Sequence, residues 1–232
     1  MRRARSAALV LVLSLAAAVA GPAARLAAQA DESEPLLRAE FRVELQPVSP
    51  FGDPDPLELE AAARLLLDEA TWVYAGMVWG FRYEYEPYDR TRGIAERFVL
   101  SPLGAIPKGD PRLVPGAARR AGGELAAYVE YRPLPAEAAL LGSYAKEPWK
   151  RSQAEGAAKL SRGWAGRREA LEDALREAVR AHLRSIEPNK PRRSTGRVVL
   201  ERPPRIVVRE GSYLAQVRAR VEVQELAPYV VY

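Results

Sequence analysis

The sequence predicts an α+β fold, with antiparallel sheet or sheets covered by two main helices. Three observations lead to it. Apolar and charged residues alternate with period two at 39–45, 81–86 and 213–223, the pattern of half-buried strands. Apolar residues recur at helical spacing over 56–78 and 167–186. After each helical stretch, strand-like segments follow one another with no helix between them, which favours antiparallel pairing over βαβ crossovers.

Each element has its own local reason. In Ala39 to Leu45, Phe41, Val43 and Leu45 share one face and Glu40, Arg42 and Glu44 the other. Pro47 to Pro56 is a proline-rich connection. Asp55-Pro56-Leu57-Glu58 reads as a helix start, with Asp55 as cap and Pro56 in the first turn. Leu59, Ala62, Ala63, Leu66 and Ala70 continue that helix to Tyr74 or Val78, where Gly76 and Gly80 weaken it. Phe81, Tyr83 and Tyr85 then alternate with Arg82, Glu84 and Glu86 in a strand that Pro87 ends. Glu96 to Leu100 is a short strand, and Ser101 to Pro111 a loop punctuated by proline and glycine. Arg112 to Ala118 and Glu124 to Arg132 form a hairpin around Gly122-Gly123. Pro133 to Gly166 has no clean period and reads as a mixed, partly helical segment.

A second helix covers Arg167 to Ile186, with Leu171, Leu175, Ala178, Val179, His182, Leu183 and Ile186 as its apolar stripe. Pro188 to Arg193 breaks the chain. Strands at Gly196 to Glu201, Arg205 to Arg209 and Tyr213 to Val223 follow, the last two joined through Glu210-Gly211-Ser212. Helix followed by antiparallel strands thus occurs at 56–132 and again at 167–224, a pseudo-repeat in order without a residue-level repeat.

The first 30 residues read as a cleaved Sec-type signal peptide. Arg2, Arg3 and Arg5 supply the basic region, and Ala7 to Ala20 is a 14-residue run without charge. Ala28-Gln29-Ala30 is an A-x-A cleavage site, with Ala18-Val19-Ala20 as the alternative. The run is shorter than the roughly 20 residues a spanning helix needs. The chain has no cysteine, so it is not a lipoprotein anchored through one. An export signal and a cysteine-free chain together point to a bacterial envelope or periplasmic protein rather than a disulfide-stapled secreted domain. The remaining organisation is a net-acidic half at 31–140 and a net-basic half at 141–232, readable as one continuous domain.

The chemistry-bearing residues are sparse. His182 is the sole histidine, and its place on the helical stripe makes it a packed rather than a catalytic residue. Phosphate-binding glycine loops, dinucleotide fingerprints, zinc-protease helices and nucleophile elbows are all missing from the sequence. The expectation is no cofactor and no metal, with a non-catalytic role favoured over an enzymatic one and the enzyme question left open. A carboxylate-based hydrolase acting on envelope glycans is the alternative, with Glu84, Glu86 and Asp89 beside an aromatic cluster that runs from Trp72 to Tyr88. That cluster is either core or a stacking surface.

Charge carries the rest. Of the 35 basic residues, Arg2, Arg3, Arg5 and Arg25 lie in the signal segment, so the net charge of +5 falls to +1 without it. Nucleic acid is therefore not the expected partner. Residues 31–140 carry a net −7 and residues 141–232 a net +8. The densest basic stretch is 180–209. It either neutralises the acidic half or attracts anionic cell-wall polymer or lipid headgroups. The function expected is a non-catalytic binding or assembly module whose partner is another envelope protein, a second copy, or such an anionic surface. The candidate interaction surface is Trp79, Tyr83, Tyr85, Arg192, Arg193, Arg197, Arg202 and Arg205. The Tyr229-Val230-Val231-Tyr232 tail is a further candidate, for strand addition to a partner's sheet.

Overall fold

The computed structural model describes residues 35–46, 56–187 and 191–227. The signal segment, the Asp55 cap, most of the proline-rich connection and the 229–232 tail lie outside these residues.

Two antiparallel sheets and three helices make up the described chain, so the α+β class holds. The first sheet is built on β1 (Leu37–Glu44), β4 (Leu113–Pro115), β5 (Arg119–Ala121) and β6 (Glu124–Tyr131). β6 is its spine. β1 pairs along the whole of β6, from Leu37 opposite Tyr131 to Glu44 opposite Glu124, and β4 and β5 also pair with β6. The expected hairpin is present, but its first arm is split into β4 and β5 where the register against β6 shifts by one residue between Pro115 and Arg119. Gly122 and Gly123 both have positive φ, 59° and 83°, as a two-residue turn of the mirror-image type requires.

The larger, six-stranded sheet runs β3-β2-β8-β10-β7, with β9 also on β10. These strands are β2 (Phe81–Glu86), β3 (Arg97–Pro102), β7 (Lys150–Lys159), β8 (Arg193–Leu200), β9 (Arg205–Arg209) and β10 (Ser212–Ala227). β10 is long enough to take β7 along one edge and β9 then β8 along the other. The expected pseudo-repeat has a topological counterpart. Helix α1 (Leu59–Val78) leads into β2 and β3, and helix α3 (Trp164–Ile186) leads into β8, β9 and β10. β2 and β8 meet antiparallel at the centre of the sheet. The acidic and basic halves therefore share one sheet, and one apolar core runs through both.

Helix α1 begins at Leu59 rather than at Pro56, and its cap residue Glu58 makes no side-chain capping bond. It buries Ala62, Leu66, Ala70, Val73 and Tyr74. The Tyr74 hydroxyl donates to the Val129 carbonyl at 2.6 Å and so ties α1 to the first sheet. Helix α3 buries Ala170, Leu171, Ala174, Leu175, Ala178, Val179 and Leu183 against β7 and β10. The stripe fails at its C-terminal end. Ile186 is half exposed, and His182 sits half-buried at the rim, where burial and the nearby Lys150 lower its pKa.

The segment 133–166 departs most from expectation. It holds a nine-residue helix, α2 (Pro135–Ser143), and the ten-residue strand β7. β7 pairs with β10 from Lys159 opposite Ser212 to Lys150 opposite Val221. Its inward positions are Ser152, Ala154, Gly156 and Ala158, all small because α3 lies directly on them. A Cβ on Gly156 would stand 2.1 Å from the Ala174 nitrogen and 2.5 Å from the Ala170 carbonyl oxygen. No apolar alternation is visible in the sequence because no room exists for large apolar side chains.

Candidate functional site

Two places concentrate polar chemistry among the described residues. The first is a cleft of about 730 Å³ between the β1 side of the first sheet and β9. At its base Arg167, in the first turn of α3, is only 7% exposed in its side chain. Its guanidinium donates Nη1 to Glu44 Oε1 at 2.8 Å, and Nε and Nη2 to the two Glu69 oxygens at 2.9 and 3.2 Å. The rings of Trp164 and Tyr213 lie 4.8 and 5.8 Å from its central carbon. Burial works against the Arg167 charge, but Glu69 and Glu44 outweigh it and hold its pKa above the usual guanidinium range. Nearer the mouth, Arg42 bridges Glu40 and Glu124, and Arg119 pairs with Glu40. Every acidic side chain named here is thus engaged by an arginine. Arg167 joins β1, α1 and α3 at one point and works as a structural pin. The sequence reading missed it, although Arg167 falls one turn before Leu171 on the buried stripe, which is the signal that could have found it.

The second place is the outer face of the six-stranded sheet. Both helices pack on the inner face. On the outer face, strand alternation sets Arg82, Glu84 and Glu86 on β2, and Arg193, Thr195, Arg197 and Val199 on β8. The same alternation sets Arg205 on β9, Gln216, Arg218, Arg220 and Glu222 on β10, and Arg151, Gln153 and Glu155 on β7. Tyr144 and Trp149 cover Val199, and the Arg197 guanidinium lies 5.1 Å from the Trp149 ring centre. The rest is charged. Arg193 pairs with Glu84, Arg197 with Glu222, and Arg151 and Arg220 share Glu201. Arg82, Arg97, Lys159, Arg202, Arg205 and Arg218 have no ion-pair partner among the described residues, and the unpaired charge on this face is mostly positive.

A hollow of about 690 Å³ opens on this face, lined by Gln153, Glu155, Arg202, Pro203, Arg205, Gln216 and Arg218. The Glu201 N–H donates to the Arg218 carbonyl at 2.8 Å, which sets the β8–β9 connection opposite Arg218. Arg205 stands opposite Gln216 in the register, and Gln216 donates to Glu155 at 2.9 Å. The Arg218 Nε is buried and has no hydrogen-bond partner.

The predicted surface residues divide sharply. Tyr83 and Tyr85 are core residues, 0% and 3% exposed, because they point inward from a central strand. Burial pushes the Tyr83 phenol up to about 12, and its hydroxyl lies 3.3 Å from Ser194 Oγ. Both tyrosines are therefore removed from the interaction surface. Trp79 is half-buried with Gly104 seated on its ring, where a Cβ would stand 2.4 Å from the indole. Arg192, Arg193, Arg202 and Arg205 are exposed, and Arg197 is half-buried in its pair with Glu222. The exposed aromatic surface that the hydrolase alternative needs beside Glu84 and Glu86 is not formed by Tyr83 and Tyr85. Asp89 instead caps its own turn, accepting from the Thr91 and Arg92 N–H groups.

Carboxylates also gather around a hollow of about 380 Å³ with Glu96, Glu169, Glu172, Asp173 and Arg176. Burial raises the Glu172 pKa, with Arg168 opposing. Arg176 is paired with Asp173, Glu177 and Glu96, and Arg162 holds Glu169. No helix among the described residues is long and apolar enough to cross a membrane.

Fold and surface together define a cysteine-free α+β protein with a buried arginine pin and one open, arginine-rich sheet face. The model of an uncharacterised protein family matches residues 23–229, and the chain belongs to that family. It is 24% identical over 194 residues to an uncharacterized protein of Treponema pallidum (strain Nichols), an alignment covering 80% of this chain and 82% of that one. No solved structure matches the chain.

Proposed function

We propose that the protein is an exported, non-catalytic binding module of the bacterial envelope, and that it docks through the outer face of its six-stranded sheet onto anionic lipid headgroups. The observation that carries this reading is the unpaired positive charge of that face. Most arginines of the basic half are neutralised within the chain, through Arg193–Glu84, Arg197–Glu222 and the shared Glu201. Of those left over, Arg168 and Arg184 lie on α3, and Arg202, Arg205 and Arg218 gather on the outer side of the sheet, where Arg82 and Arg97 join them. A broad basic face suits a charged surface better than a single small substrate, and each arginine near an anionic leaflet contributes about 1 kcal/mol. The basic amino terminus, uncharged run and A-x-A site support export, which brings the face to the envelope.

Co-sedimentation with phosphatidylglycerol vesicles, against phosphatidylcholine vesicles, tests the docking. Binding should weaken as salt rises and drop in the R82E/R97E variant, whose side chains are exposed. Equal binding to both vesicle types, or no response to charge reversal, rules the reading out. Binding to anionic cell-wall polymer but not to vesicles also rules out the lipid surface.

A further inference from the structure

The hollow at Arg202, Arg205 and Arg218 combines three properties found together nowhere else on the described basic face, and we infer that it is a binding site for a phosphoryl group. The inference deepens the docking proposal above and rests on it for the source of the ligand. The first property is the lack of internal counter-ions. Neighbouring arginines on the same face each have a carboxylate: Arg151 and Arg220 hold Glu201, and Arg197 holds Glu222. Arg202, Arg205 and Arg218 have none among the described residues, and the one acidic side chain lining the hollow, Glu155, is engaged by the Gln216 amide.

The second property is the buried Arg218 Nε, which lacks an acceptor. Buried donors in folded proteins are nearly always satisfied, so the orphaned Nε of a side chain that lines the hollow leaves a donor for a bound acceptor to take up when that side chain turns toward it. The third is preorganisation. Arg202 and Arg205 are separated only by Pro203 and Pro204, whose rings fix φ, and the Glu201 N–H to Arg218 carbonyl bond fixes this connection against β10. A rigid frame lowers the entropy lost on binding.

Three guanidinium groups against one carboxylate leave two excess positive charges. That matches a phosphoryl group, with up to two negative charges and three acceptor oxygens, better than a carboxylate with one charge and two. Gln153 adds an amide to the wall. Free phosphate and lipids that end in a phosphomonoester, such as phosphatidic acid, share this chemistry, whereas the phosphodiester of phosphatidylglycerol has one charge and two free oxygens.

The test is calorimetric titration of the purified protein and three variants, R218M, R202Q/R205Q and R82E/R97E, with inorganic phosphate, phosphatidic acid vesicles and polyglutamate. Arg202 and Arg205 are exposed, so R202Q/R205Q folds even if R218M does not. Saturable binding of inorganic phosphate, weakened at least about tenfold in R202Q/R205Q, supports the site and shows that the bare anion suffices. Vesicle binding with the same sensitivity, in the absence of phosphate binding, supports it with the headgroup as source. Polyglutamate binding as tight as either, or binding that the variants leave unchanged, overturns it. Vesicle binding lost in R82E/R97E but intact in R202Q/R205Q overturns the phosphoryl site while the docking face stands. Loss of vesicle binding in none of the variants removes both.

Discussion

Replacing Arg167 with methionine removes the guanidinium that is hydrogen-bonded to both Glu44 and Glu69 in the interior, leaving Glu69 only the more distant charge of Arg168. The three side chains are 7%, 14% and 11% exposed, so little water can take the place of the guanidinium. Breaking one side of a buried ion pair costs about 3–5 kcal/mol, mostly because the remaining charges stay buried without a partner. Methionine keeps most of the apolar contact with Trp164 and Tyr213, which isolates the electrostatic loss. With a urea slope of about 2–3 kcal/mol/M for a chain of this size, the unfolding midpoint should fall by roughly 1–2 M. The triple variant R167M/E44Q/E69Q removes all three charges and should recover much of that loss, because a neutral replacement of a buried ionic group is often well tolerated. Urea unfolding followed by tryptophan fluorescence reports both variants. A midpoint shift below about 0.3 M for R167M would refute the reasoning. So would a triple variant no more stable than the single one, since the carboxylates would then be solvated and Arg167 no pin.

Two further predictions concern packing and pH. Gly156→Ala should cost about 3 kcal/mol, near the top of the range for overpacking, because the new methyl meets backbone of α3 rather than a movable side chain. Equal urea midpoints for G156A and the parent would show that α3 does not sit on β7 as described. His182 has a folded-state pKa below its ordinary value, so its contribution to stability is complete above the unfolded pKa of about 6.5 and is lost as pH falls through the folded value. Unfolding midpoints at pH 7.5 and pH 5, for the parent and H182Q, should show a smaller acid-induced loss in the variant; identical losses would contradict the assignment.

Much of the fold is legible in the sequence because most strands carry large apolar side chains on one face only. Phe41 and Val43 announce β1, and Tyr213, Val217 and Val221 announce β10. The strand β7 is not legible. Its inward residues are Ser152, Ala154, Gly156 and Ala158, and small residues leave no hydrophobic alternation to read. Alternation in β2 shows that Phe81, Tyr83 and Tyr85 share a face, but not which face is covered. That depends on β8, more than 100 residues away, pairing beside it. The helix-stripe reading of His182 and Ile186 fails for a related reason, since α3 runs past the edge of the surface that buries it. The arginine hollow was half legible. Arg202 and Arg205 stand out in the basic stretch, whereas Arg218 alternates unremarkably along β10 and acquires meaning only when the register sets it beside them.

The central claim is that the open face of the larger sheet meets an anionic lipid surface in the envelope. A photo-crosslinking amino acid placed at Arg82, on that face, and separately at Tyr128, exposed on the first sheet, tests it in intact cells. The account predicts lipid-containing adducts from position 82, in the envelope fraction, and few from position 128. Adducts from position 128 alone, or a protein recovered only from the cytoplasm, would contradict it.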